Sequence, residues 1–189
     1  MELKNYIKIY DDVLRHSELS SLLKWINTQT FEKATIGADS QLNENIRKTE
    51  MLCLSKRFNS VTAMHWSNYL QVKFKQGILK YKSELSPFHD LGLGKFNDVT
   101  VLKYQETGFY NYHVDHFYDI PRLFSCILLL NNDYEGGNLE FAHPLTNKPY
   151  VSIDVQPNRL IIWPSLFMFP HGVRPVSKGT RYSVVAWAF

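Results

Sequence analysis

Cysteine is almost absent: Cys53 and Cys126 are the only two in 189 residues, and neither belongs to a CxxC pair. That speaks against a disulfide framework or a thiolate zinc site, and two packed, reduced thiols suit a cytoplasmic protein. Excess charge is also scarce, with a formal net charge of +3. A nucleic-acid partner is therefore not expected, because such binders carry a strongly basic balance. Long apolar runs are missing as well. Runs such as that near Ile127–Leu130 fall far short of the roughly 20 residues needed to cross a bilayer. Met1-Glu2-Leu3-Lys4-Asn5 has no apolar stretch behind it, which reads as the absence of a signal peptide. There is no repeat, no low-complexity tract and no linker between the two halves.

What the chain does have is material for a core. Hydrophobic residues make up 44%, too many for gross disorder. A length of 189 residues fills one domain and barely two. We expect a single domain over 1–189, with a helical support region over 1–95 and a β-core over 96–189.

Residues 6–10 alternate like a short strand. Ser17 reads as an N-cap with Glu18 at the positive helix end, and Leu19, Leu22, Leu23 and Ile26 give one apolar face through about Thr28. Residues 32–48 are polar and turn-rich, which suggests a long loop, and Thr49–Leu54 fits a strand. A second helix is expected from Ser60 to about Glu84, with Val61, Met64, Val72 and Leu79 among its inward positions. Gly77 weakens that helix and Pro87 ends it. From Phe96 onward, short β-rich runs alternate with turns: Val99–Tyr104, Tyr110–His116, Phe124–Leu130, Asn138–Ala142, Arg159–Trp163 and Tyr182–Phe189. This spacing predicts a sandwich or barrel-like β-core with the helices packed outside it. Gly136 and Gly137 relieve the tight turn within Asn131–Gly137.

Three residues carry the chemistry. In His113-Val114-Asp115, strand alternation would turn the imidazole and the carboxylate to one side. His171 follows after 55 intervening residues, in Phe169-Pro170-His171-Gly172-Val173, and is expected from the opposite sheet. Two imidazoles and one carboxylate can cap one face of a metal ion and leave its other positions open, which suits non-haem Fe(II) oxygenases. The plainer alternative is a satisfied core histidine beside a surface aspartate. Arg181 lies ten residues beyond His171 and shares a strand face with Ser183. Together they could grip the far carboxylate of a dicarboxylic cosubstrate; otherwise Arg181 is an edge arginine facing water. The Tyr104 hydroxyl suits the same ligand, or its ring packs in the core. Trp163 and Trp187 read as core, and Arg122 either pairs with a carboxylate near the site or caps a strand.

The run from Tyr104 through Gly108, Tyr110, His113 and Asp115 resembles the metal-binding strand of prolyl 4-hydroxylase-type 2-oxoglutarate/Fe(II)-dependent dioxygenases. The likeness continues in order through Arg122–Asn131, Asp133–Phe141, Pro170–Val173 and Gly179–Ser183, covering about residues 96–189, and more loosely through Tyr6–Leu23 and Asn45–Leu54. The resemblance implies a double-stranded β-helix (jelly-roll) core flanked by N-terminal helices. It implies Fe(II) on His113, Asp115 and His171, 2-oxoglutarate anchored by Arg181 with Tyr104 and Ser183 as helpers, and ascorbate as a further ligand. Many members use lysine at the anchor. Arg181 is instead like the anchor of the hypoxia-sensing prolyl hydroxylases, which carry a cosubstrate-binding tyrosine where this chain has Leu129.

The expected activity is hydroxylation of a C–H bond, first of a prolyl residue in a peptide or protein. The alternative is another amino-acid side chain or a free small molecule. O2 is the oxidant in either case. Asp115 favours hydroxylation over halogenation, since a halide binds where such a site lacks its carboxylate. Nucleic-acid demethylation is disfavoured by the small charge and by the lack of a second arginine in Val184–Trp187. The segment 34–48 is either a substrate lid or an ordinary surface loop. With Phe189 closely following the last strand, the substrate surface is expected from the N-terminal half and the strand-connecting loops.

Overall fold

A computed structural model describes residues 2–36, 41–85, 95–119 and 121–189. Along the chain lie β1 (Lys8–Tyr10), α1 (His16–Ile26), β2 (Glu32–Lys33), β3 (Arg47–Lys48), β4 (Glu50–Cys53), α2 (Val61–Ser83), β5 (Phe96–Tyr104), β6 (Phe109–His113) and β7 (Phe124–Leu129). They are followed by β8 (Glu135–Gly136), β9 (Leu139–Ala142), β10 (Pro149–Ser152), β11 (Arg159–Pro164), β12 (His171–Val173), β13 (Val176–Lys178) and β14 (Arg181–Ala188). A large antiparallel sheet runs β1-β11-β7-β14-β5-β4-β2, and a smaller one runs β10-β9-β12-β6-β3.

The central strands of the large sheet are buried on both faces, and strand alternation sorts their side chains between two cores. Val99, Val101, Cys126, Leu128, Leu160, Ile162, Val184 and Ala186 point to a core shared with α1 and α2. Their neighbours Leu102, Tyr104, Ile127, Leu129, Ile161, Trp163 and Val185 join Leu139, Phe141 and Val173 of the small sheet in a second core. The result is the double-stranded β-helix with outer helices implied by the motif order. The sorting also fixes chemistry: Arg181 and Ser183 share parity with Val185 and so face the inter-sheet side.

The helices depart from expectation in detail. α1 begins at His16, and Arg15, not Ser17, is its N-cap. The Glu18 carboxylate accepts from the Arg15 backbone N–H at 2.8 Å and from Nε at 2.6 Å, so the acid at N3 draws the cap two residues upstream. In α2, Ser60 Oγ accepts from the Ala63 N–H at 3.2 Å. The inward face is Ala63, Trp66, Ser67, Leu70, Phe74, Ile78 and Tyr81, whereas Val61, Met64, Val72 and Leu79 are exposed. Both sets recur at helical spacing. Trp66, Phe74 and Tyr81 decide between them, because aromatic rings bury the most apolar area. Gly77 stays within the helix, and a Cβ there would come within 2.6 Å of Leu160 Cδ2, so its bareness lets α2 lie close on β11. The expected stop at Pro87 lies outside the described residues. Segment 32–48 is not all loop: β2 and β3 occupy its two ends, and Ile36 bridges Gln41.

This packing yields a paired test. Ile78 is fully buried and Leu79 is 47% exposed. Ile78→Ala should cost about 2–5 kcal/mol of unfolding free energy in urea titrations, and Leu79→Ala about 0.5 kcal/mol or less. Equal losses would place the helix in the wrong rotation.

Candidate active site

The site begins with a strand pair. β12 runs antiparallel to β6 with His171 directly opposite His113. Facing residues in such a pair project to the same side, and the two imidazole centroids lie 4.4 Å apart. His171 thus comes from the neighbouring strand of the same sheet and not from the opposite sheet. The alternation expected to align His113 with Asp115 also stops short, because β6 ends at His113. Asp115 lies in the departing segment and is held by other means. Ser125 Oγ donates to its Oδ2 at 2.6 Å, and Arg122 Nη1 donates to its carbonyl at 3.1 Å.

One donor atom from each of His113, Asp115 and His171 lies within 4.8 Å of the others. The remaining imidazole nitrogens are committed elsewhere: His113 Nδ1 meets the Asn111 carbonyl at 2.9 Å, and His171 Nδ1 meets the Phe169 carbonyl at 3.0 Å. A carbonyl can only accept, so both Nδ1 atoms carry the proton and a neutral ring presents its Nε2 lone pair. Those lone pairs face the carboxylate oxygens at 3.5 Å for His113 and 3.3 Å for His171. Burial, followed by repulsion from any charge on His171, lowers the His113 pKa and favours its neutral form. Burial alone would raise the Asp115 pKa, yet charge on His171 and hydrogen bonds from both rings would pull it well below the carboxylate range, a role that a bound cation takes over when the rings are neutral. Acceptors converging on acceptors around an ionised carboxylate need a cation among them. The donor set therefore fits a ferrous ion in the two-histidine, one-carboxylate arrangement.

Arg181 is 1% exposed. Its Nη1 donates to Ser183 Oγ at 2.8 Å, and its Cζ lies 5.1 Å from the Tyr104 ring centroid, so the three residues expected at the cosubstrate site do meet. Nε and Nη2 of Arg181 have no acceptor. Each buried, unpaired N–H costs about 1–3 kcal/mol, and a ligand carboxylate would satisfy both at once. Leu129 is the cross-strand partner of Ser183, which puts it beside this anchor. Tyr134, which the sequence reading passed over, approaches from another direction. Its buried hydroxyl lacks a well-aligned hydrogen bond, and although burial raises its pKa, the Arg181 charge pulls the other way.

Among the described residues, the buried side-chain polar atoms without partners are Arg47 Nε, Arg122 Nε, Tyr134 Oη, Trp163 Nε1, and Nε and Nη2 of Arg181. All six belong to residues that line the pocket around the three candidate ligands or stand beside Arg181. Unsatisfied polar atoms mark places where something else binds. On the pocket wall, the Tyr110 ring stacks on His113 at 3.6 Å between centroids, and Arg47 Cζ lies 4.6 Å from the Tyr110 centroid. Arg122 Cζ lies 3.9 Å from the Trp187 ring centroid, so Trp187 is pocket wall and not simply core. Trp163 is fully buried and packs edge-on to His171. Tyr110 escaped sequence reading for a clear reason. Three residues before His113, it should face the other way. One extra residue in β6 opposite β12 (His171↔His113, then Val173↔Tyr110) brings it round. Gly172 accommodates that bulge, since a Cβ there would sit 2.7 Å from the Tyr110 carbonyl oxygen. From segment 34–48, Thr35, Ile36 and Arg47 reach the pocket, while residues 37–40 lie outside the described residues.

A double-stranded β-helix holding two histidines and a carboxylate is the build of a non-haem iron oxygenase. The family model of the 2OG-Fe(II) oxygenase superfamily matches residues 99–189. Human prolyl 3-hydroxylase 2 is 36% identical over 66 residues, which are 35% of this chain and 9% of that protein. The chain thus matches only about a tenth of its curated relatives' length. Among solved structures, a Trichoplax adhaerens prolyl hydroxylase, in complex with a hypoxia inducible factor oxygen degradation domain peptide fragment, superimposes with a TM-score of 0.75. It is 19% identical, covering 98% of this chain and 84% of that one. A Pseudomonas putida prolyl-4-hydroxylase gives a TM-score of 0.70 at 19% identity, covering 97% and 92%. The name of that superfamily specifies 2-oxoglutarate, Fe(II) and an oxygenase reaction. Among the described residues, no helix is long and apolar enough to cross a membrane.

The hydrogen bond from Ser125 generates a test. Ser125→Ala should weaken divalent-metal affinity by about 10–100-fold, read by anaerobic titration with Fe(II) or Co(II). Unchanged affinity would show that Ser125 does not orient a metal ligand.

Proposed function

We propose that the protein is an Fe(II)- and 2-oxoglutarate-dependent dioxygenase that hydroxylates a C–H bond, with a prolyl residue of a peptide or protein as the first candidate. One observation carries this reading: ligand atoms of His113, His171 and Asp115 converge within 4.8 Å, with a buried, half-satisfied Arg181 as the candidate anchor for a second ligand. When bound, Fe(II) supplies the redox chemistry that couples decarboxylation of the keto acid to insertion of oxygen into the substrate.

The protein's own groups do the rest. His113, Asp115 and His171 hold the metal, with their outer atoms fixed by Asn111, Ser125 and Phe169. Arg181 takes the distal carboxylate of 2-oxoglutarate on its free N–H edge, assisted by Ser183 and Tyr104. Tyr134, beside Arg181, offers a phenol to the same ligand, in place of the tyrosine that the hypoxia-sensing prolyl hydroxylases carry where this chain has Leu129. Leu102, Ile127, Val173 and Val185 line the pocket with apolar surface, which keeps water from the reacting centre. Support for a prolyl substrate comes from the named activities of the relatives. The free thiols of Cys53 and Cys126 support a reducing compartment.

Anaerobic loading with Fe(II) and 2-oxoglutarate, then oxygen and a proline-containing peptide library, tests the assignment by mass spectrometry. Gain of one oxygen on proline, with succinate formed, is the expected result. Succinate with oxygen only on another residue or a metabolite would replace the substrate, and no succinate from iron-loaded protein would end the reading. Arg181→Ala should raise the KM for 2-oxoglutarate about 10–100-fold, as loss of a charge-assisted carboxylate clamp does, and Arg181→Lys should recover part of it. An unchanged KM would move the anchor elsewhere.

A further inference from the structure

We propose that Arg47 and Arg122 form a carboxylate-binding subsite in the substrate pocket, and that the true substrate carries a carboxylate close to the carbon that is hydroxylated. The proposal rests on the oxygenase reading above and narrows its substrate class.

Both arginines line the pocket that contains the three candidate metal ligands. Arg47 comes from β3, in register with Tyr110 of β6, and the Tyr110 ring stacks on His113. Arg122 comes from the segment between β6 and β7 and binds the carbonyl of Asp115 through Nη1 at 3.1 Å. Arg122 thus touches a candidate metal ligand directly and Arg47 lies one contact away, and the two come from different parts of the chain. Each also lies against an aromatic ring, Arg47 with Tyr110 and Arg122 with Trp187. Ring contact of this kind restrains a planar guanidinium and leaves its N–H edge for a ligand.

Those edges are underused. Arg47 Nη1 donates to the Thr35 carbonyl at 3.1 Å, and Nε of both residues is buried without an acceptor. Among the described residues, no carboxylate lies within the 4.0 Å ion-pair distance of either one. Elsewhere the chain does pair its arginines with acids: Arg159 with Asp11 at 2.7 Å and Arg15 with Glu18. An arginine cannot shed its proton to relieve burial, so two such residues on one pocket call for an incoming anion. Arg181 already serves as the candidate anchor for 2-oxoglutarate, beside Tyr104 at the end of the pocket that Tyr104 shares with Arg47 and Arg122. A second acidic ligand is therefore the fitting occupant. Carboxylate geometry matches a guanidinium fork. The carboxylate belongs either to a free or C-terminal amino acid or to an acidic side chain next to the target residue.

The test compares matched substrates on the iron-loaded wild-type protein: free proline against prolinamide, a peptide ending in proline against its C-terminal amide, and an internal proline flanked by Glu against the same peptide with Gln. Two quantities are read: kcat/KM with oxygen present, and the dissociation constant measured anaerobically with 2-oxoglutarate bound. At least one carboxylate member should exceed its amide partner by about tenfold or more in both, and the preferred pair identifies the source. Arg47→Gln and Arg122→Gln should each lower kcat/KM for the carboxylate substrate several-fold more than for its amide. If a variant fails to fold, the wild-type comparison decides alone. Equal constants within every pair, alongside normal succinate formation, would overturn the subsite and leave the oxygenase reading standing. If no succinate forms, that reading falls, and the anaerobic constants decide the subsite: a carboxylate preference upholds it and equal affinities overturn it.

Discussion

Everything in this site hangs on one strand pairing, β12 against β6. Antiparallel pairing with His171 opposite His113 brings two residues distant in sequence to the same spot on the same face. Once the imidazoles are side by side, backbone carbonyls at Asn111 and Phe169 choose their tautomers and turn both lone pairs inward. Asp115, fixed by Ser125 and Arg122, completes a ring of acceptors. A one-residue slip of β12 would turn His171 to the other face of the sheet. The register is held from the far side as well, where β12 pairs with β9 and His171 lies opposite Phe141.

The remaining architecture serves that pair. Alternation in the large sheet assigns one set of side chains to the helices and the other to the inter-sheet space, so β14 delivers Arg181, Ser183, Val185 and Trp187 to a single face. Burial on both faces of β7 and β11 leaves the strands little freedom to shift. The orphaned polar atoms gather at the pocket and beside Arg181. Folding has therefore kept desolvated N–H groups at the place where a ligand would complete them, a cost that packing elsewhere must offset.

Much of this was legible in the sequence, and the limits have physical causes. His113, Asp115, His171, Arg181, Ser183 and Tyr104 could all be singled out as candidates from residue type, order and the family resemblance, because side-chain chemistry constrains which residues can hold a metal or a dicarboxylate. How they meet was less accessible. Alternation reasoning put His171 on the opposite sheet and Asp115 on a strand, whereas pairing is a long-range property that local pattern does not encode. Tyr110 was hidden by a bulge that reverses its facing, and Arg47 lay in a polar stretch that reads as loop but contributes β3. In α2 two apolar stripes compete, and only tertiary burial of Trp66, Phe74 and Tyr81 selects one.

The most direct test of the account is iron-edge X-ray absorption on the anaerobically loaded protein, wild type beside His171→Ala. The account predicts imidazole scattering from two rings in the wild type, loss of one ring in the variant, and a changed coordination shell when 2-oxoglutarate is added. A wild-type spectrum lacking two imidazole ligands, or one that His171→Ala leaves unaltered, would contradict it.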